Sequence, residues 1–213
     1  MSQVRVVPSL LTDDPQTLEN MVRQVEAFTN YAQFDIMDGK FVPSRSISPK
    51  HLAGLQTKLS WEVHLMVLHP EAYLEDFQRA GAEKIVFHYE ATPSPQQVIS
   101  LSRSLGLAVG LAVNPETPLS AITPLVSEVD SVLFMSVHPG FYGSKFLPEV
   151  LDKIREFRNH YPRAEIGIDG GVKESNINQI VRSGVNVIYV GSAILLQPQP
   201  AASFHRLLAL ANE

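Results

Sequence analysis

Residues 81–114 read GAEKIVFHYE ATPSPQQVIS LSRSLGLAVG LAVN. Two short β-branched runs, Lys84–His88 and Ala108–Val113, are separated by a helical pattern, and Gly81 and Gly106 each stand just ahead of a run. Glycine in that place closes a helix, because it takes up left-handed backbone without steric cost. Ala108–Val113 is apolar throughout, as a strand is when both faces are covered. The unit therefore reads strand, helix, parallel strand.

The same unit recurs on both sides. Further strands are predicted at Val4–Pro8, Ala32–Met37, Trp61–Met66, Ser131–Val137, Glu165–Asp169 and Val187–Gly191. Between them, Pro15–Phe28 sets Leu18, Met21, Val22 and Val25 at helical spacing, and Pro148–Phe157 does so with Val150, Leu151 and Ile154. Asp14-Pro15, His69-Pro70 and Leu147-Pro148 put proline near a first helical turn, where its missing N–H costs nothing, and Gly184 is a further helix stop. Eight such units without a Ser/Gly linker predict one α/β domain over residues 1–213, a single-domain (β/α)₈ TIM barrel. An open doubly wound sheet is the alternative, because a strand count does not establish closure. No G-x-G-x-x-G follows the first strand, which removes the usual dinucleotide reading.

Composition narrows the function. The 213 residues carry a net charge of −5 and no basic stripe, so nucleic acid is not an expected partner. There is no cysteine, which excludes disulfides and thiolate metal sites and fits a cytoplasmic enzyme. The first residues lack the layout of a signal peptide, and the longest apolar stretch, Leu105–Val113, is far short of the about 20 residues that cross a bilayer. No membrane association is expected.

Reactive groups of such a barrel lie at the C-terminal ends of its strands. Polar residues gather there: Ser9, Gln33, Asp35, His64, His88, Asn114, Ser136, His138, Asp169 and Ser192. Asp35 interrupts an apolar strand, and Gln33, two residues earlier, points to the same face. His64 holds the matching place on the third strand and Asp169 ends the seventh. A single strand-end Asp is often a helix cap and a single His often a satisfied core residue. Three together suit a divalent cation such as Zn²⁺, Mn²⁺ or Fe²⁺, with Co²⁺ admitted. Proton removal beside a carbonyl builds an enediolate that a Lewis acid stabilises, and inversion of the carbon needs an acid and a base on opposite faces. Asp35 and Asp169 are the candidate pair.

Gly140-Phe141-Tyr142-Gly143, Gly170-Gly171 and Gly191-Ser192 follow strands six, seven and eight. Glycine lets backbone N–H groups approach an anion, and barrel enzymes often hold phosphate at these loops. Met37, Met66 and Met135 are core residues by default; the sharper reading is a polarizable pocket floor. His51, His69, His160 and His205 read as surface or helix residues.

At these residues the sequence resembles the ribulose-phosphate 3-epimerase family. The matching blocks are Pro8–Leu11, Asp35–Pro43 with its Met-Asp-Gly, Val63–Met66, Asn114–Pro118, Met135–Phe141, Ile168–Val172 and Val190–Ile194, in family order over essentially the whole chain. The resemblance implies a barrel of the ribulose-phosphate-binding type and a metal-dependent isomerase that interconverts D-ribulose 5-phosphate and D-xylulose 5-phosphate. It implies Asp35 and Asp169 as acid/base pair, and one divalent ion on Asp35, His64 and Asp169. Ser9 and His64 would contact the phosphorylated ketose, the late glycine loops with Ser192 would hold its phosphate, and the chain would self-associate.

The chain departs from the family pattern at several places. Gln33 stands where the family has a metal-ligating His, and an amide oxygen is a weaker ligand than imidazole, so a lowered metal affinity is expected. Ser44–Ser48, Tyr142, Ser144 and His138 also differ from the family's usual residues. Two alternatives follow: an epimerase of a ketohexose phosphate such as allulose 6-phosphate, or a barrel that binds a sugar phosphate without turnover. An orotidine-type decarboxylase would carry Lys where Met37 stands, and a Schiff-base aldolase is disfavoured because Lys84 lies at a strand start.

Overall fold

The computed structural model describes residues 3–140 and 145–213. Its strands are β1 (Arg5–Leu10), β2 (Tyr31–Met37), β3 (Ser60–Met66), β4 (Lys84–His88), β5 (Ala108–Val113), β6 (Ser131–Met135), β7 (Glu165–Asp169) and β8 (Val187–Val190). The helices are α1 (Pro15–Val25), α2 (Pro49–Ala53), α3 (Leu74–Ala80), α4 (Pro95–Ser104), α5 (Leu119–Ile122), α6 (Val150–His160), α7 (Ile177–Arg182), α8 (Ser192–Leu195) and α9 (Pro200–Leu210). All strand neighbours are parallel, and β1 pairs with β8 through Arg5↔Val187 to Pro8↔Val190. The sheet is therefore a closed barrel in sequence order, and the open-sheet alternative falls.

Side-chain alternation divides the core. Phe34, Ile36, Val63, Leu65, Ile85 and Phe87 face outward and pack with Leu18, Val22, Leu74 and Phe77 of the helices in the large apolar cluster. Val7, Val86, Ala112, Leu133, Met135 and Tyr189 form a smaller cluster within the barrel. Several other inward positions of β2, β3 and β4 are polar and buried, namely Gln33, Asp35, Glu62, His64, Lys84 and His88, with Met37 and Met66 above them. Glycines inside strands make room for this filling. A Cβ at Gly167 would lie 2.9 Å from the Tyr189 ring, and one at Gly110 would lie 3.2 Å from Lys84 Cε.

The capping glycines behave as expected. Gly81, Gly106 and Gly184 have φ of 102°, 77° and 98°. Asp14 caps α1 by accepting from the Thr17 amide at 2.8 Å, with Pro15 at the first turn. β1 runs two residues past the predicted end, so Ser9 lies within the strand, paired with Gln33. β6 stops two residues short of the predicted Val137.

Candidate active site

β2 and β3 pair with Asp35 opposite His64, and β7 brings Asp169 to the same end from across the barrel. His64 Nδ1 lies 3.1 Å from Asp35 Oδ1 and 3.5 Å from Asp169 Oδ2. One ligand atom from each residue can be chosen so that all three lie within 4.8 Å of one another. His64 is wholly buried, and Asp35 and Asp169 are only 6% and 9% exposed. An unprotonated Nδ1 facing two carboxylates would be repelled, so a proton or a metal cation belongs between them. Burial pushes the His64 imidazole down, but the hydrogen bonds and charges of Asp169 and Asp35 outweigh it and hold the group up at about 9. Burial, with the like charge of Asp169 adding to it and the His64 hydrogen bond opposing, raises Asp35 to about 6.

Gln33 is fully buried two residues before Asp35. Its Nε2 donates to Glu62 Oε1 at 2.7 Å, whereas its Oε1 has no hydrogen-bond partner among the described residues. Gln33 thus offers an orphaned buried acceptor on the same face of β2 as Asp35, and an imidazole, two carboxylates and an amide oxygen are a donor set that suits a divalent cation.

Above the carboxylates opens a small cleft. Asp35 and Asp169 line it, as do Ser9, Met37, Met66 and Met135, with Gly140, Gly170, Gly171, Gly191 and Ser192 around the rim of the late loops. His64, expected to touch substrate, does not reach the cleft wall; complete burial leaves it in contact with the two aspartates instead. Phe141, Tyr142, Gly143 and Ser144 lie outside the described residues. Gly170 and Gly171 carry φ of 110° and 64°, and a Cβ on Gly170 would collide with the Val137 side chain. Their tight-turn role is thus real, and the turn it produces lines the cleft.

Other residues hold this floor in place. Ser136 Oγ donates to the carbonyls of Asp169 at 2.9 Å and Gly170 at 2.7 Å, and Ser46 Oγ donates to the Asp35 carbonyl at 2.9 Å. Asp38 accepts from the amides of Lys40, Phe41 and Leu68, which shapes the turn after β2. Burial pushes the Glu90 carboxyl up, but the nearby His88 ring and hydrogen bonds from Thr117 and Asn114 outweigh it and keep it below the usual range. His88, ambiguous in the sequence, is fully buried against His64, with Nε2 to Nε2 at 2.9 Å. His138 is exposed and pairs with Glu116 at 3.1 Å. Glu62 carried no signal in the sequence, since its importance lies in which neighbours it reaches, and Ser46 stood out only as part of the Ser44–Ser48 departure from the family pattern.

The family model described as the ribulose-phosphate 3 epimerase family matches residues 5–195. The chain belongs to the ribulose-phosphate 3-epimerase family. It is 37% identical over 206 residues to the ribulose-phosphate 3-epimerase of Schizosaccharomyces pombe, covering 94% of this chain and 90% of that one. It is 39% identical over 205 residues to that of Synechocystis, covering 92% and 89%. Membership makes the chain an isomerase of the epimerase type. Among solved structures, a KGPDC from Streptococcus mutans superimposes with a TM-score of 0.78 over 99% of this chain and 98% of its own, at 8% identity. A 3-hexulose-6-phosphate synthase from Salmonella typhimurium gives 0.74 over 98% of each chain at 13% identity. At such identities the likeness concerns the barrel alone. No helix among the described residues is long and apolar enough to cross a membrane.

Proposed function

We propose that this chain interconverts D-ribulose 5-phosphate and D-xylulose 5-phosphate, with Asp35 and Asp169 exchanging the proton at carbon 3. The observation that carries this reading is the placement of the two carboxylates. They come from strands across the barrel, line one cleft and share one buried imidazole. Groups so placed reach a planar intermediate from two sides, one removing a proton and the other returning it. In the metal-free site burial raises Asp35 to about 6, and a cation bound to it would pull it back toward the carboxylate.

Asp35, His64 and Asp169, with the free amide oxygen of Gln33, would hold one divalent metal ion. That ion would supply Lewis-acid stabilisation of negative charge on the substrate oxygens. The chain's own groups do the rest. Ser9 would orient the sugar at the cleft wall, and the backbone at Gly170-Gly171 and Gly191-Ser192 would seat the phosphate. Met37, Met66 and Met135 would exclude water from the reacting carbon.

Solvent-deuterium exchange at carbon 3 of ribulose 5-phosphate tests the reading. Wild type should wash deuterium in, while Asp35→Asn and Asp169→Asn should each lose turnover by roughly a thousandfold or more. Exchange that survives in both variants would sink the roles given to the aspartates. A higher kcat/KM for a six-carbon ketose phosphate would replace the pentulose assignment.

A further inference from the structure

His88 and the Asn114–Pro118 block have no part in the reaction above, yet a run of close polar contacts connects both to His64. The two histidine Nε2 atoms face each other at 2.9 Å in a fully buried setting, so one donates and the other accepts. On the far side of His88, Nδ1 faces Glu90 Oε2 at 3.5 Å, an electrostatic contact in which neither buried atom has a hydrogen-bond partner among the described residues. The other Glu90 oxygen accepts from the Asn114 amide at 2.9 Å and from the Thr117 hydroxyl. Lys153 of α6 clamps the same loop by donating to the carbonyls of Asn114, Pro115 and Thr117 at 3.2, 2.7 and 2.6 Å. Glu90 is thereby held with one oxygen committed to the loop and the other aimed at His88.

The placement of hydrogens follows. A carboxylate only accepts, so the hydrogen of neutral His88 belongs on Nδ1, and its Nε2 is left as an acceptor. His64 must then donate from Nε2, whatever occupies its other nitrogen. That leaves His64 Nδ1 as the atom turned to Asp35 and Asp169. Metal-bound histidines usually have the second nitrogen fixed by a partner in this way. Here the partner is another imidazole, itself fixed by a carboxylate.

We propose that Glu90 and His88 are positioning residues that keep the hydrogen of His64 on Nε2 and so present Nδ1 to a divalent cation between Asp35 and Asp169. The proposal rests on the metal-site reading above. It also gives the Asn114–Pro118 block a task, which is to hold Glu90 in place.

Glu90→Gln is the decisive variant because it is isosteric and reaches the cation only through the two imidazoles of His88 and His64. The amide oxygen would stay with the Asn114 and Thr117 donors, and the amide NH₂ would then face His88 Nδ1. His88 would have to accept there and carry its hydrogen on Nε2, which forces His64 to accept at Nε2 and to protonate Nδ1. Zinc affinity of the full chain, measured by competition with a chromophoric chelator, should fall roughly ten- to a hundredfold. Long-range ¹H–¹⁵N correlation spectra of the zinc-loaded wild type should show the metal on His64 Nδ1 and hydrogen on Nε2. Folded Glu90→Gln with wild-type affinity would overturn the proposal. So would ligation through Nε2 in the wild-type spectrum, which needs no variant to fold. Failure of the wild type itself to bind zinc would instead remove the metal reading, and this proposal with it.

Discussion

The amide of Gln33 has one orientation open to it. Glu62 accepts from Tyr31 at 2.9 Å and from Gln33 Nε2 at 2.7 Å, and a carboxylate would repel an amide oxygen put in that place. The oxygen is therefore the spare atom, and an unpaired buried acceptor costs about 1–3 kcal/mol unless something meets it. Gln33→His would replace that oxygen with an imidazole nitrogen, which binds zinc more strongly. A rise in zinc affinity of roughly tenfold or more is expected in the chelator competition. Unchanged affinity would show that position 33 does not touch the metal. The histidines make a second prediction, for chelator-treated protein. His64 sits at about 9 when folded against 6.5 unfolded, so its stabilisation is complete below pH 6.5 and is lost as pH rises through 9. His88, pushed down to about 4 chiefly by burial, acts in the opposite sense: its contribution is complete above pH 6.5 and is lost as pH falls through 4. Urea midpoints should therefore fall from pH 6.5 to pH 9.5, and His64→Gln should flatten that limb. A midpoint that holds or rises across the range would contradict the assignment. Asp35, His64 and Asp169 were legible in the sequence because each breaks or ends an apolar strand. His88 and Glu62 were not, because their importance depends on which nitrogen or oxygen meets which neighbour.

At the scale of elements, the strands were legible almost to the residue, since parallel strands covered on both faces read as apolar runs. The errors fall at ends. The predicted first strand ended at Pro8, yet Pro8 pairs with Val190 and the strand continues through Ser9 to Leu10. Val137 looked like the end of β6, but the ladder closes at Met135↔Asp169, and Ser136 then turns its hydroxyl onto the carbonyls of Asp169 and Gly170. The turn after β7 combines two demands, a φ of 110° at Gly170 and no space for a Cβ against Val137. Gly106 makes only the first demand, with φ of 77° and nothing within 4 Å. Gly170→Ala should then cost roughly 3 kcal/mol and Gly106→Ala roughly 1 kcal/mol, seen as Tm losses near 6–12 °C and 2–4 °C. Equal losses would mean that backbone strain alone sets the cost at Gly170.

Closure of the barrel was the feature of the whole molecule that the sequence left open, because the β1–β8 pairing joins residues nearly a chain length apart. Closure also puts two polar layers inside one barrel. The upper holds Asp35, His64, His88 and Asp169 under the cleft. The lower centres on Glu62, which is 1% exposed, accepts from Tyr31 and Gln33, and pairs with Lys84 at 3.3 Å. Lys84 also lies 3.7 Å from Glu165. Barrels usually keep chemistry at the C-terminal end of the strands and stability at the other, and this layering follows that division. Lys84→Met tests it. The substitution keeps a long apolar stem beside Gly110 but strips the buried Glu62 of its cation, which should cost about 3 kcal/mol in urea unfolding, near the low end for a broken buried pair because two donors remain. Adding Glu62→Gln should recover part of that loss, since the uncompensated charge is then gone. In Lys84→Met itself, zinc affinity should stay within a factor of about three, because Glu62 still accepts from Gln33 and no ligand atom has moved. If Lys84→Met instead abolished zinc binding while remaining folded, the two layers would be one functional unit. The charge of Glu62, which already helps to raise Asp35, would be the link between them.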